Sequence, residues 1–283
     1  MEQTQIHAGP FGQITPAGRI AHIVQWIKGY ARSAKIRTLV VGISGGIDSS
    51  VVSALCAKTG LKTIVVQMPI RQNRTLNNRS AMQAQWLLER YRNVTHVNLD
   101  LTSVFAAFEK KAGPFCATEQ EPTPQEQLAW ANSRSRLRMM TLYQIAQSHG
   151  GLVVGTGNRV EDFGVGFFTK YGDGGVDISP IGDCMKTQVW DMGRELGILE
   201  EIINAEPTDG LWDDARTDQD QLGMTYAELE HAMWLDQLEP DHAQFGMATA
   251  KQKRQLKRFQ AIRSRNLHKM LPIPVCSQPD KML

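Results

Sequence analysis

The chain has 283 residues, 42% of them hydrophobic, and a formal net charge of +2. That length suits one large domain or two small ones with a real core, and the composition excludes general disorder. The near-balanced charge gives no sign of a nucleic-acid or membrane partner. Cys56, Cys116, Cys184 and Cys276 form no C-x-x-C pair, so a zinc knuckle or redox motif is not expected. The polar N-terminus lacks a signal pattern and no apolar run approaches spanning length, so a cytoplasmic protein is expected.

In chain order, "RIAHIVQWIKGYARSA" has apolar residues at helical spacing and predicts a helix. "RTLVVGIS" is a β-branched run bounded by glycine and predicts a buried strand. "SSVVSALCAKTG" predicts a helix closed by Gly60, and "KTIVVQMP" a second strand stopped by Pro69. "RTLNNRSAMQAQWLLERYR" predicts a helix, "NVTHVNLD" a third strand and "LTSVFAAFEKKA" another helix. A long helix is expected from about Gln125 to His149, followed by a fourth strand, "GGLVVGTG". "GVGFFTKYGDGGVDISPIGD" and "NAEPTDGLWDDARTDQDQLG" read as two long loops around a helix, "KTQVWDMGRELG". Long loops in a compact domain are usually functional or disordered, and these are expected to be mobile without ligand. Two further helices, "TYAELEHAMWLDQL" and "MATAKQKRQLKRFQAIRSRNLHKM", precede an extended tail. The alternation predicts an α/β protein: a doubly wound parallel β-sheet flanked by helices. Ligands of such sheets bind beyond the carboxyl ends of the strands, so the first and fourth strands should open into one crevice.

The first strand ends in "SGGIDSS". Glycines at 45 and 46 let a ligand approach the backbone, and a helix starting near Ser49 offers free N–H groups. Ser44, Ser49 and Ser50 add hydroxyls, so the string suits a phosphate. It lacks the Gly-Lys-Ser/Thr ending of a Walker loop, so another cation must balance the charge. Asp48 suits a Mg²⁺ ligand beside such an anion. The alternative is a tight turn with Asp48 as a helix cap.

"GISGGIDSS" resembles the pyrophosphate (PP) loop of the ATP pyrophosphatase superfamily. Within it, "GTGNRVEDFGVGFFTKYGDGGVDISPI", "EPTDGLWDD" and "HKMLPIP" resemble the NAD synthetase family over about residues 15–275. The resemblance implies a single domain over 1–283 with the adenine nucleotide alpha-hydrolase-like fold. It implies ATP binding by Gly42, Ile43, Ser44, Gly45, Gly46, Ile47, Asp48 and Ser49, with Thr156, Lys186 and Thr208. It implies Mg²⁺ on Asp48 and Glu161, and deamido-NAD contacts from Arg136, Lys170, Asp177, His268 and Lys269. Lys186 is expected to counter charge on leaving pyrophosphate.

The implied reaction is amidation of the nicotinate carboxylate of deamido-NAD through an acyl-adenylate, with AMP and pyrophosphate released. Asp48, Lys186 and Asp177 are the catalytic candidates, and Asp177 or Asp173 the proton acceptor. The PP-loop begins at residue 44 with no room ahead of it for a glutamine-hydrolysing domain, so ammonia is the expected nitrogen donor. The resemblance implies a homodimer; the helix at 125–149 carries Leu128, Trp130, Leu137, Met139, Met140, Leu142 and Ile145, more than one face needs, and is either buried within its own subunit or shared across a two-fold axis. Two rival readings, a tRNA-modifying enzyme of the same superfamily and a non-catalytic nucleotide-binding module, predict features that are not apparent: a basic extension or paired reactive cysteines for the first, damage to Asp48, Glu161 or Lys186 for the second.

Overall fold

The computed structural model describes residues 14–276 apart from 73, 117, 118, 120, 209–216, 240 and 241. Strands β1 (Thr38–Gly42), β2 (Lys62–Gln67), β3 (Val94–Asn98) and β4 (Gly151–Val153) form one parallel sheet in the order β3-β2-β1-β4. Helix α1 (Pro16–Ser33) precedes β1, and α2 (Ile47–Lys58), α3 (Arg74–Arg90), α4 (Thr102–Ala112) and α5 (Pro124–Ser148) make the crossovers. The chain therefore winds outward from β1 to β3 and returns to the other side of β1. That reversal leaves a crevice beyond the carboxyl ends of β1 and β4.

The central strands are apolar without alternation because both faces are covered. Leu39, Val41 and Val65 pack on one face with Ile27, Leu55 and Leu87. Val40, Ile64 and Val66 pack on the other with Phe105, Met139 and Leu142. Helix α5 starts at a capping box in which Thr123 and Glu126 each satisfy the other's backbone N–H.

After β4 a π-helical turn spans Arg159–Val165. Then come α6 (Lys186–Leu196), α7 (Glu200–Ile203), α8 (Asp218–Leu222), α9 (Tyr226–Asp236), α10 (Ala243–Gly246) and α11 (Ala250–Met270). Val160 and Val165 of the turn pack with Leu229 of α9 and Phe259 of α11 in a separate apolar cluster.

The four strands and long helices fall where the periodicity places them. Helix α2 starts two residues earlier than expected, at Ile47, with Gly46 as its N-cap. The short α8 falls within an expected loop, and the segments of α7 and α10 carry no sequence assignment. Much of the apolar load on α5 is taken up inside its own chain: Met139 and Leu142 are buried, and Trp130, Leu137 and Ile145 pack against the same cluster. Leu128 and Met140 stay exposed. No helix among the described residues is long and apolar enough to cross a membrane.

Candidate active site

The end of β1 is extended by the Ile43 N–H, which donates to the Val66 carbonyl at 2.9 Å. The chain then turns at Gly45, whose φ of 84° lies in the left-handed region. A Cβ there would come within 2.8 Å of the Leu76 carbonyl oxygen and 2.9 Å of the Ser80 nitrogen. Glycine is thus required by conformation and by the closeness of α3. Ser49 Oγ accepts from the Ser44 N–H at 3.2 Å and donates to the Gly46 carbonyl at 3.1 Å. Ser50 Oγ donates to the same carbonyl at 2.8 Å. These bonds fix the loop over the first turn of α2, whose N–H groups lack intrahelical acceptors.

Three charged side chains meet beside this loop. Asp48 comes from the first turn of α2, Glu161 from the π-helical turn after β4, and Lys186 from the first residue of α6. Lys186 Nζ donates to Asp48 Oδ2 at 2.5 Å and to Glu161 Oε1 at 2.8 Å, and the residue is only 2% exposed. Asn158 ties the cluster together. Its Oδ1 accepts from the Val160 and Glu161 N–H groups, and its Nδ2 donates to Asp48 Oδ1 at 3.1 Å. Tyr226 of α9 completes it, its hydroxyl 2.5 Å from Glu161 Oε1 and 2.7 Å from Asp218 Oδ2.

Burial works against the charge on Lys186, but the two carboxylates outweigh it and hold its pKa above the ordinary lysine value. Burial likewise works against ionised Glu161. The Lys186 charge and bonds from Lys186 and Tyr226 prevail and keep it below the usual range. Asp48 lies on the other side of the balance, pushed up by burial despite Lys186. Two buried carboxylates therefore share one ammonium, which leaves an excess of negative charge next to a phosphate cradle.

An oxygen-only donor set with surplus negative charge fits Mg²⁺. No group of three or more His, Cys, Asp or Glu suited to a metal occurs among the described residues. Asp48 and Glu161 would hold the ion together with phosphate oxygens and water, as Mg²⁺ usually prefers.

One cavity is lined by Gly42, Ile43, Ser44, Gly46, Ile47, Asp48 and Ser49, and also by Thr156, Glu161, Lys186 and Thr208. Gly45 supports it from behind. A second cavity is lined by Arg136, Lys170, His268 and Lys269. Its basic rim is cross-linked: Arg136 Nε donates to the Lys170 carbonyl at 3.2 Å, and Lys170 Nζ to the His268 carbonyl at 3.1 Å. Phe167 and Asp173 line both cavities and so join them. Of the stretch "EPTDGLWDD", residues 209–214 lie outside the described residues.

Asp177 departs from expectation and lines neither cavity. Its Oδ2 accepts the Val153 N–H at 2.8 Å and its Oδ1 accepts the Tyr143 hydroxyl at 3.1 Å. The carboxylate fastens the edge of β4 to α5. Asp177→Ala is expected to lower stability by about 1–2 kcal/mol, the cost of an unsatisfied N–H and a lost charged acceptor. The KM values for both nucleotides should stay within about twofold, a change too small to reflect a lost substrate contact. Denaturant unfolding and initial rates check both halves; a large KM rise without destabilisation would restore a substrate role.

Sequence reasoning missed Arg79, Asp162, Tyr226 and Asp218. Asp162 is packed against Gly157 in the wall of the first cavity. Burial, then the charges of Asp173, Glu161 and Asp48, raise its pKa well above the carboxylate range. Nothing in its spacing distinguishes it from Glu161.

The family model described as NAD synthase matches residues 19–272. An NH(3)-dependent NAD(+) synthetase of Carboxydothermus hydrogenoformans is 40% identical over 74% of this chain and 82% of its own. One from Mesoplasma florum is 37% identical over 74% and 81%. Among solved structures, the NMN synthetase from Francisella tularensis superposes with a TM-score of 0.77 at 29% identity, over 94% of this chain and 99% of that one. An NH3-dependent NAD synthetase from Campylobacter jejuni shares the fold, with a TM-score of 0.72 at 20% identity over 93% and 99%. Together with a PP-loop that closes the first strand of a parallel sheet, these matches place the chain in the NAD synthase family, ligases of the PP-loop α/β fold.

Proposed function

We propose that the chain is an ammonia-dependent NAD synthetase that amidates deamido-NAD with ATP and Mg²⁺ as co-substrate and cofactor. The observation that supports this best is the meeting of Asp48 and Glu161 on Lys186 in the cavity floored by the "SGGIDSS" loop. In this reading ATP lies over the loop, and deamido-NAD extends from the shared wall at Asp173 toward Arg136, Lys170, His268 and Lys269. The basic rim of the second cavity suits an anionic nucleotide.

A nicotinate oxygen attacks the α-phosphorus of ATP, the bond to the β-phosphoryl oxygen breaks, and pyrophosphate departs. Ammonia then attacks the acyl carbon, and AMP leaves with the bridging oxygen. The loop N–H groups bind phosphate, and Asp48 and Glu161 would hold Mg²⁺, which would supply charge neutralisation at the phosphates. Positioning and electrostatic stabilisation supply most of the rate in such transfers. The attacking nitrogen must shed protons. Asp173 suits that role better than Asp177 because it borders both cavities, and its Oδ1 is already oriented by Ser135 Oγ at 2.7 Å.

The likeness to NH(3)-dependent NAD(+) synthetases supports ammonia over glutamine as donor. Among the described cysteines Cys116 and Cys276 are exposed, whereas Cys56 and Cys184 are buried, and burial pushes the latter two thiols above their ordinary value. A thiol so protonated is a poor nucleophile for an amide. With purified protein, ammonium should support NAD formation and glutamine should not. The apparent affinity for total ammonium should improve as the pH rises and free ammonia increases. Equal turnover with glutamine would contradict the proposal.

The likeness to the Francisella NMN synthetase favours a second reading, in which nicotinic acid mononucleotide is the amidated substrate. Comparing kcat/KM for the dinucleotide and the mononucleotide decides between them. The first reading requires the larger value for deamido-NAD. A cytoplasmic homodimer belongs to the same proposal, supported by Phe108, Phe115, Leu128 and Met140, which the chain leaves exposed. Light scattering showing a fully active monomer would remove the dimer.

A further inference from the structure

The PP-loop has no Walker lysine, and Lys186, the expected substitute, is engaged by Asp48 and Glu161. Beside the Mg²⁺ that Asp48 and Glu161 would hold, a triphosphate in this cavity therefore calls for a further cationic side chain. Arg138 lines the cavity but donates its Nε to the Met68 carbonyl at 3.0 Å. Arg79 is different. It stands on α3 where that helix backs the loop, and a Cβ on Gly45 would lie 3.0 Å from the Arg79 Cβ. It lines the same cavity as Ser44, Asp48 and Lys186. Its Nε is sealed from solvent without a hydrogen-bond partner.

We propose that Arg79 is a nucleotide-binding residue of this chain, whose guanidinium takes the β- and γ-phosphates of ATP and holds them as pyrophosphate leaves. This rests on the ATP-dependent reading above. A partly buried guanidinium whose Nε has no acceptor is unfavourable in the free protein, and burial already draws its pKa below the usual arginine value. A ligand that brings oxyanions removes that cost. The guanidinium fork matches two phosphate oxygens at once, so an oligophosphate is the class of ligand it fits. The position also complements the opposite wall. Asp48 and Glu161 bind phosphate through a cation, whereas Arg79 would bind it directly.

The test is calorimetric titration of wild type, Arg79→Ala and Arg79→Lys with inorganic pyrophosphate plus Mg²⁺, alongside steady-state rates and ligand-free melting. Arg79→Ala should weaken pyrophosphate binding about 10- to 100-fold, the range for losing charged hydrogen bonds. The KM for ATP should rise by a similar factor while that for deamido-NAD stays unchanged. Arg79→Lys should recover part of the loss. The ligand-free melting temperature of Arg79→Ala should be equal to or above wild type, because the change removes a buried guanidinium nitrogen that has no hydrogen-bond partner; a structural residue would lower it. Pyrophosphate binding by Arg79→Ala equal to wild type overturns the proposal, as does weakened binding accompanied by a lowered melting temperature and no recovery in Arg79→Lys. If wild type binds pyrophosphate through Arg79 yet makes no NAD, the catalytic reading falls and the Arg79 assignment stands.

Discussion

Lys186→Met is expected to abolish NAD formation and to lower the free energy of unfolding by about 3–5 kcal/mol, the cost of removing one partner from a buried ion cluster. The side chain is buried between Asp48 and Glu161, so its loss leaves two carboxylates facing each other without the ammonium they share. The pH dependence has a defined sign. Glu161 has a depressed pKa, so its stabilising contribution is present above the ordinary carboxylate range and is lost as the pH falls through its folded value. Lys186 has a raised pKa, so its contribution is present below the ordinary lysine value and is lost only when the pH rises past that range. Asp48 acts in the opposite direction, since burial holds its carboxyl above the usual range and its ionisation weakens the fold. The stability gap between wild type and Lys186→Met should therefore be widest between the acid and strongly alkaline limits and should narrow in acid. Urea unfolding across pH measures it. A variant as stable as wild type at neutral pH would mean that the cluster is hydrated and contributes little.

Asp48→Asn and Glu161→Gln should each reduce pyrophosphate release by a factor of at least about 10³ with the fold intact. Each change keeps the shape of the side chain and removes one negative charge; Asp48→Asn should shift stability by less than about 1 kcal/mol or improve it, whereas Glu161→Gln gives up the stabilisation that its depressed pKa records. What is lost is the pair of charges suited to Mg²⁺ at the phosphates. Because the two acids act as a unit, the double variant should be little worse than either single one. Mg²⁺ titrations of the rate, with binding of Mn²⁺ as an independent readout, should show the weakened metal affinity directly. Near-normal pyrophosphate release from either variant would remove the assignment.

The parts of this site that were legible in the sequence are those fixed by local geometry. Gly45, Gly46 and the serines of the loop announce themselves because a strand-to-helix turn of that composition suits phosphate. The uninterrupted apolar runs of β1 and β2 mark strands buried on both faces. The pairing of Asp48 with Glu161 followed from the family resemblance, and the topology brings the ends of β1 and β4 side by side. Long-range partners were not legible. The sequence casts Lys186 as a counter-charge for pyrophosphate and does not show that two carboxylates from distant segments enclose it. Asp173 and Asp177 occupy one glycine-rich string, and only the fold shows that the first borders both cavities while the second caps the edge of β4. Arg79 and Tyr226 lie on helices whose apolar spacing explains their neighbours and is silent about which way they point into the crevice. The short α7, α8 and α10 escape because four or five residues carry no measurable periodicity.

The central claim is that a nicotinate oxygen becomes bonded to the α-phosphorus of ATP in this cavity. Deamido-NAD labelled with ¹⁸O in its carboxylate, incubated with the protein, ATP, Mg²⁺ and ammonium, tests it most directly. An acyl-adenylate route places one labelled oxygen in each AMP formed, with one pyrophosphate and one amidated nucleotide per turnover. Unlabelled AMP, or ADP with labelled inorganic phosphate in its place, would contradict the account.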